Sequence, residues 1–261
     1  MTDPILYEVR DGAAWITFNS PSNHNALTDA FTAGFERAVQ RAIGDDAARA
    51  IVLAGVGKTF CAGADLKNAG GSNVGRPGAK GGHPPFPNTL LTLWNSPKPV
   101  IGRVQGNAWG GGLGVVASCD YVIMAEGTRF AFTEVRLGLI PAVISVFCSR
   151  KMPYTHVAPM MLTGQRFDAR RAFELGLAHE VVPEARLDER VQAIVNDVRE
   201  CGPQAVAEVR KLLRAVTTHS VEEGLHYAED AIARLFKSAE GSEGMAAFNA
   251  KRKPAWAPPA R

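Results

Sequence analysis

Long hydrophobic runs are absent from this sequence. The most apolar segment, LGVVASCDYVIMAEG, contains Asp120 and falls short of the roughly 18 uncharged apolar residues that a membrane-spanning helix needs. The first residues, MTDPILYEVR, lack the basic segment and the apolar stretch of a secretory signal. The sequence therefore predicts a cytoplasmic protein that has no membrane partner.

A marked excess of charge of one sign is also absent. The 29 Lys and Arg residues are nearly balanced by 26 Asp and Glu residues, which leaves a formal net charge of +3. Because this charge is too small to indicate a polyanion-binding chain, no nucleic-acid partner is predicted. The 261 residues, of which 46% are hydrophobic, suffice for one sizeable core with a small appendage.

Paired cysteines and metal-ligand spacings are missing as well. The six histidines include no pair at i, i+4 spacing, and none lies with cysteines at zinc-like intervals, so no metal site is predicted. The cysteines are scattered, which predicts reduced thiols buried as small apolar residues. They are Cys61, Cys119, Cys148 and Cys201.

Three common catalytic motifs are incomplete or missing. Gly57-Lys58-Thr59 resembles the end of a phosphate-binding loop, but Val52 stands where that loop needs its first glycine. The glycines of residues 110–114 do not have the G-x-G-x-x-G spacing of dinucleotide-binding folds. No G-x-S-x-G sequence of a serine hydrolase occurs. Binding of a nucleotide by a phosphate-binding loop, binding of a dinucleotide and hydrolysis by a serine nucleophile are therefore not indicated.

The segments that are present alternate between strand-like and helix-like patterns. ILYEVR and AAWITFN flank Asp11-Gly12, which predicts a β-hairpin. The pattern next predicts a helix with Thr28 as N-cap and Gly44 as stop, and then a buried strand at 50–55. Repeated alternation of this kind predicts an α/β fold.

The middle and the end of the chain differ in composition. Gly and Pro dominate residues 68–88, which predicts a mobile surface loop, and RFAFTEV is expected to form a short strand. Past residue 202 the pattern becomes helical, and Ser220 with Glu223 forms a capping box. The predicted division is a core with the site at 1–202 and a C-terminal helical oligomerisation region at 203–261.

Two segments favour chemistry by the backbone rather than by side chains. In FCAGADL, residues 60–66, small residues follow a buried strand and let main-chain N–H groups approach a ligand. In GNAWGGGLG, residues 106–114, a glycine-rich turn opens a helix whose first N–H groups favour negative charge. Together the two segments predict an oxyanion hole, although each alone is more typical of a tight turn.

The same motifs resemble the crotonase superfamily, also called the enoyl-CoA hydratase/isomerase family. FCAGADL is followed by VQGNAWGGGLG, SCD, RFAFTE and RLGLIPA, and the likeness extends from Asn25-Ala26-Leu27 to the region of Phe248. It implies a spiral of ββα units whose C-terminal helices form a homotrimer, commonly paired into a hexamer. It also implies an acyl-CoA thioester substrate, with coenzyme A as part of that substrate and no separate cofactor.

The resemblance assigns roles to particular residues. The backbone N–H groups of Ala64 and Gly111 become the oxyanion donors. Phe248 and Lys251 match terminal positions that reach the adenosine end of coenzyme A, often from a neighbouring subunit, and a cationic Lys251 suits phosphates. The positions along the coenzyme A groove or at its border are Ala26, Ala62, Asp65, Leu66 and Lys67.

Relatives that add water to an enoyl-CoA carry two glutamates, of which this chain has one. Glu134 matches the acid/base position, whereas Gly114 stands at the other. Hydration is favoured because Pro141-Ala-Val-Ile-Ser145 resembles bacterial hydratases of branched substrates such as 3-methylglutaconyl-CoA. Gly114 supports the alternative of a Δ3,Δ2-enoyl-CoA isomerase, in which one glutamate moves a proton from C2 to C4. A catalytically impaired acyl-CoA-binding protein is the third alternative.

Two further expectations concern side chains near these motifs. Asp120 is expected to bond to nearby backbone rather than to act as a second acid. The acyl group is not specified by the sequence. Candidates for the lining of its pocket, each also typical of core packing, are Trp94, Trp109, Phe132, Ile140 and Phe147.

Overall fold

A computed structural model describes residues 3–66 and 83–259. In these ranges six strands form a large sheet and four short strands form a small sheet. The strands of the large sheet are β1 (Ile5–Arg10), β2 (Ala13–Phe18), β3 (Ala50–Gly55), β5 (Val100–Val104), β7 (Tyr121–Ala125) and β10 (Glu180–Val182). Those of the small sheet are β4 (Thr59–Cys61), β6 (Asn107–Trp109), β8 (Arg129–Ala131) and β9 (Phe167–Asp168).

The large sheet has the strand order β1-β2-β3-β5-β7-β10. The strands β1 and β2 pair in an antiparallel hairpin around Asp11-Gly12, with Ile5 opposite Phe18, and the other pairs are parallel. The β-hairpin prediction is therefore confirmed. The strand β3 lies between two partners, and Ala50 to Ala54 are all buried. This agrees with the continuous apolar run that predicted a strand covered on both faces.

Helices alternate with the strands, so the α/β prediction is confirmed. The N-cap Thr28 accepts a hydrogen bond from the backbone N–H of Phe31, and the helix that follows ends at Gly44, both as predicted. No helix of the described ranges is long and apolar enough to cross a membrane. The helices are α1 (Asp29–Gly44), α2 (Pro85–Asn95), α3 (Gly111–Ala117), α4 (Ala142–Lys151), α5 (Tyr154–Thr163), α6 (Ala169–Glu174), α7 (Leu187–Glu200), α8 (Pro203–Val216), α9 (Val221–Phe236) and α10 (Ala239–Asn249).

The two faces of the large sheet bury separate sets of apolar side chains. On one face, the ring of Phe18 lies 4.9 Å from that of Phe31 and 5.1 Å from those of Phe35 and Phe60, measured between centroids. The other face packs against α7, whose buried residues include Leu187 and Val191. A shift of one residue would move every side chain of such a strand to the opposite face, where a different set of side chains packs, so this packing fixes the register.

The helix α8 is tied to the core by a buried arginine. The side chain of Arg210, 6% exposed, donates to Asp120 and to the backbone carbonyls of Leu93 and Ser96. Asp120 also accepts a hydrogen bond of 2.7 Å from the backbone N–H of Val100, so the predicted backbone role of Asp120 is confirmed. Its ion pair with Arg210, 90 residues further along the chain, was not foreseen.

Three predictions about local structure are wrong. The predicted loop 68–88 ends early, because α2 begins at Pro85, where a proline in the first helical turn costs no helix hydrogen bond. The predicted strand RFAFTEV stops at Ala131, and Glu134 instead lies in a 3-10 helix. Cys201 is exposed, unlike the other three cysteines, which are buried as predicted. Residues 68–82 of the predicted loop lie outside the described ranges.

Candidate active site

The first of the two backbone segments is the turn between β6 and α3. Gly110 has a φ of +48°, and its N–H donates to the carbonyl of Ala131 on β8 at 3.1 Å. The helix α3 then begins at Gly111, and no side chain caps its start. The first N–H groups of a helix have no partner within the helix. The N–H of Gly111 is therefore available to a ligand.

The second segment runs alongside residues 24–27. The N–H of Ala62 donates to the carbonyl of His24 at 3.0 Å, and the N–H of Leu27 donates to the carbonyl of Gly63 at 2.8 Å. This pairing forms a parallel bridge between Leu27 and Ala64. Ala64 follows Gly63, which has a φ of +80° that side chains rarely allow, and is itself exposed.

The two segments meet at their glycines. A Cβ added to Gly63 would lie 3.1 Å from the backbone nitrogen of Gly111 and 2.7 Å from the carbonyl oxygen of Trp109. Among the hydrogen bonds within residues 3–66 and 83–259, none is donated by the backbone N–H of Ala64 or of Gly111. The structure thus brings together the two segments that carry the predicted donors. Two free backbone N–H groups that point at the same oxygen can stabilise a developing oxyanion.

Glu134 lies beside the glycine turn. Its Oε1 is 3.0 Å from the position that a Cβ would take on Gly110. Its Oε2 is buried and has no hydrogen-bond partner among the described residues. Burial, which disfavours the charged form, raises the pKa of this carboxyl group above its ordinary value. A carboxyl group with a raised pKa and a free oxygen is suited to transferring protons.

The position of the second glutamate in related hydratases is occupied by apolar packing. Gly114 lies in α3, and a Cβ added to it would lie 2.5 Å from Cγ2 of Ile144 and 3.4 Å from Cδ1 of Leu90. Ile144 is buried in α4. The side chain of Ile144 therefore fills the space into which a larger residue at 114 would extend. The local chemistry at this position is aliphatic.

A buried amide, which the sequence did not indicate, holds the second segment in place. Nδ2 of Asn25 donates to the carbonyl of Val56 at 3.1 Å and to that of Thr59 at 2.8 Å. Its Oδ1 accepts the N–H of Ser20 at 2.7 Å. Asn25 is fully buried, and its φ of +55° is one that asparagine tolerates better than most residues. The amide thus joins residues 20–27 to the loop that leads to Ala64.

The predicted coenzyme A contacts fall into two groups. Ala26 and Ala62 lie next to the bridge between residues 27 and 64, and Leu66 is 54% exposed. Phe248 lies in the last turn of α10 and Lys251 just past its end, and Phe248 is 83% exposed among the described residues. Asp65 directly follows Ala64 and so belongs with the residues near this bridge, and Lys67 lies outside the described ranges.

The candidate pocket residues have different surroundings, and Ile140 is exposed. Phe132 is buried and stacks on Phe167, with ring centroids 6.5 Å apart, and Phe147 packs edge-on against Trp94 at 5.9 Å. Trp109 lines a different cavity. Instead, Phe86 of α2 approaches the donors, since a Cβ on Gly111 would lie 3.5 Å from its Cζ. Phe86 was missed because residues 68–88 were predicted to be a loop.

No group of three or more His, Cys, Asp or Glu side chains in residues 3–66 and 83–259 is placed to hold a metal ion.

Known proteins share both the sequence pattern and the fold. Residues 8–259 match the family described as "Enoyl-CoA hydratase/isomerase". The chain is 32% identical over 218 residues to a carnitinyl-CoA dehydratase of Proteus mirabilis, which covers 81% of this chain and 82% of that protein. An enoyl-CoA hydratase structure from Mycobacterium smegmatis has a TM-score of 0.89 at 31% identity, covering 97% of this chain and 98% of that one. One from Shewanella pealeana has the same TM-score and identity, covering 97% and 96%. The chain therefore belongs to the enoyl-CoA hydratase/isomerase family and has the crotonase fold.

Proposed function

We propose that this protein is an enoyl-CoA hydratase that adds water across the 2,3 double bond with a single catalytic carboxyl group, that of Glu134. The observation that carries the proposal is the position of Glu134 beside the glycine turn, with one buried oxygen unpartnered. The names of relatives add support, since they are those of a dehydratase and of hydratases.

The reaction needs one proton acceptor and a place for negative charge. The carboxylate of Glu134 removes a proton from water, and the water oxygen bonds to C3. The electrons of the double bond move to the thioester oxygen, which the N–H groups of Ala64 and Gly111 hold as an enolate. The same carboxyl group then returns the proton to C2. The hydroxyl group of water is now on C3 and its proton on C2, and Glu134 is a carboxylate again.

The family also contains isomerases, and Gly114 supports that alternative. With Ile144 next to Gly114, no second carboxylate lies at that position to hold a water molecule. Isomerisation needs none, because Glu134 would take a proton from C2 of a 3-enoyl-CoA and return it to C4. A protein that binds acyl-CoA without turning it over is the remaining alternative.

One set of assays separates these functions. The protein is incubated in deuterated water with a 2-enoyl-CoA, linear or branched at C3, and separately with a 3-enoyl-CoA. A hydratase gives a 3-hydroxyacyl product from the first, whereas an isomerase gives a conjugated 2-enoyl product from the second. Binding of both without turnover would establish the third alternative.

The role of Glu134 is tested by Glu134→Gln, with Glu126→Gln as control, since Glu126 is exposed in a turn. Loss of a general acid/base lowers kcat by about a hundredfold to ten-thousandfold. We expect this loss for Glu134→Gln alone. Hydration by Glu134→Gln at the wild-type rate would refute the proposal.

The substrate itself supplies coenzyme A, and no separate cofactor is part of the proposal. Backbone groups and small side chains along the groove would contact the pantetheine and nucleotide parts, and Phe248 and Lys251 would reach the adenosine end from a neighbouring subunit. The proposed groove residues are Ala26, Ala62, Asp65, Leu66 and Lys67.

The assembly that this requires is a homotrimer, alone or paired into a hexamer. The helices α8 and α9 carry many exposed apolar side chains, an arrangement typical of a protein interface. Light scattering measures the mass, and we expect Phe236→Glu to release monomers while Leu162→Glu, on α5, does not. A monomeric wild type would contradict the proposal. The exposed side chains are Val209, Leu213, Leu225, Ile232 and Phe236.

A further inference from the structure

A cavity of about 650 Å³ is lined by residues of β6, β8 and α5 and by the segment 165–171. Neither the proposed oxyanion donors nor Glu134 is among its lining residues. Its volume is in the range of small-molecule sites. We call it the arginine pocket, after Arg129, Arg166 and Arg171, which line it together with Trp109 and His156.

Two of the three guanidinium groups have no carboxylate partner among the described residues. Arg129 and Arg166 form no ion pair within the part of the chain that the structure describes. The guanidinium of Arg129 donates from Nη1 to the carbonyl of Thr128 at 3.4 Å. The guanidinium of Arg166 lies over the ring of Trp109, 5.5 Å from its centroid. Both groups therefore keep donors available to a ligand.

The remaining charges around the pocket are already engaged. Arg171 contacts Glu174 at 2.9 Å and donates from Nη2 to Nδ1 of His156 at 3.1 Å, so this ring nitrogen accepts. Oδ1 of Asp168 accepts the backbone N–H of Arg171 as the N-cap of α6. Arg170 also lies by Glu174, at 3.5 Å. The lining side chains carry more positive than negative charge, since Arg129, Arg166 and Arg171 face the single carboxylate of Asp168, which lies opposite Arg129 across the β8–β9 pair.

We propose that the arginine pocket binds a small organic anion that carries carboxylate or phosphate groups. Planar guanidinium groups bind such oxygens in pairs, and the ring of Trp109 offers an apolar face to the body of the ligand. The ligand would touch β6 and β8, the strands that lead to Gly111 and to Glu134. The site is distinct from that for acyl-CoA and does not depend on the proposed reaction.

Calorimetric titration of the whole protein with citrate and with pyrophosphate, at constant ionic strength, tests the proposal. Removing charge-assisted hydrogen bonds weakens binding about tenfold or more, so we expect this loss in the pair Arg129→Gln/Arg166→Gln. The control pair, Arg37→Gln/Arg170→Gln, removes equal charge from exposed positions outside the pocket and should bind as the wild type does. Tighter binding of one probe identifies the preferred group, carboxylate or phosphate.

Three outcomes would overturn the proposal. In the first, neither probe binds. In the second, both pairs of substitutions weaken binding equally, which would indicate a general effect of net charge. In the third, the pocket pair changes the number of subunits in light scattering and leaves probe binding intact, which would make this face a contact between copies. Melting curves verify folding, and Arg129→Lys/Arg166→Lys, which keeps the charge without the planar fork, should bind with intermediate strength.

Discussion

Gly114 and Ile144 are packed so closely that a methyl group at position 114 would lie 2.5 Å from Cγ2 of Ile144. We therefore expect Gly114→Ala to destabilise the protein by about 1–3 kcal/mol, the usual cost of overpacking a core. Combining it with Ile144→Ala removes the contact with Cγ2 and leaves the Cβ of residue 144 at 3.1 Å, so the two changes should be non-additive by about 0.5–3 kcal/mol. Denaturant unfolding of the wild type, the two single variants and the double variant measures this coupling.

Gly127→Ala is the control for this cycle. Apart from its two chain neighbours, no atom of the described residues lies within 4 Å of the Cβ that it would add, so its effect on stability should be small and independent of Ile144→Ala. Additive effects of Gly114→Ala and Ile144→Ala would show that the space beside position 114 is not filled by Ile144.

Features that depend on neighbouring residues could be predicted from the sequence, whereas features that depend on residues far apart in the chain could not. The turn at Asp11-Gly12 and the buried run at 50–55 are local patterns, and both led to correct elements. The amide of Asn25 bonds to carbonyls 31 and 34 residues away, so no local pattern identifies its role. The contact of Ile144 with Gly114 is likewise tertiary, and only the packing of α4 on α3 reveals it.

Gly63 is expected to be irreplaceable for turnover. An alanine there would bring a Cβ to 2.7 Å from the carbonyl of Trp109 and to 3.1 Å from the nitrogen of Gly111. Since this separates the two proposed donors, we expect Gly63→Ala to lower kcat by about a hundredfold or more. Gly176→Ala provides the control, because Gly176 has a φ of +78°, against +80° at Gly63, and belongs to neither proposed donor segment. Equal loss of turnover in both variants would indicate backbone strain alone.

Asn25 is expected to position Ala64 through its amide donors. Asn25→Asp keeps the shape and the acceptor for Ser20, but it leaves the carbonyls of Val56 and Thr59 facing a carboxylate. We expect a loss of stability of about 1–3 kcal/mol or more. We also expect kcat to fall in the fraction that remains folded, with KM less affected.

Asn196→Asp is the matched control, because Oδ1 of Asn196 acts as an acceptor, here from Gln192, and aspartate retains that oxygen. Thermal unfolding and steady-state kinetics of both variants are compared. A destabilised Asn25→Asp protein with an unchanged kcat would make Asn25 structural only.

The raised pKa of Glu134 has consequences for both activity and stability. Since the reaction needs the carboxylate, kcat/KM should fall on the acid side at a pH above the ordinary glutamate pKa of 4.5.

The raised pKa also affects stability, because the folded state favours the protonated form of Glu134. The contribution of protonated Glu134 to the free energy of unfolding is complete below the pKa of the unfolded chain and is lost as the pH rises through the pKa of the folded protein. The melting temperature of Glu134→Gln, which cannot ionise, should therefore rise relative to that of the wild type as the pH increases to neutral. Glu126→Gln should leave the acid limb of the activity profile in place. A limb at or below 4.5, or a difference in melting temperature independent of pH, would show that burial does not control this carboxyl group.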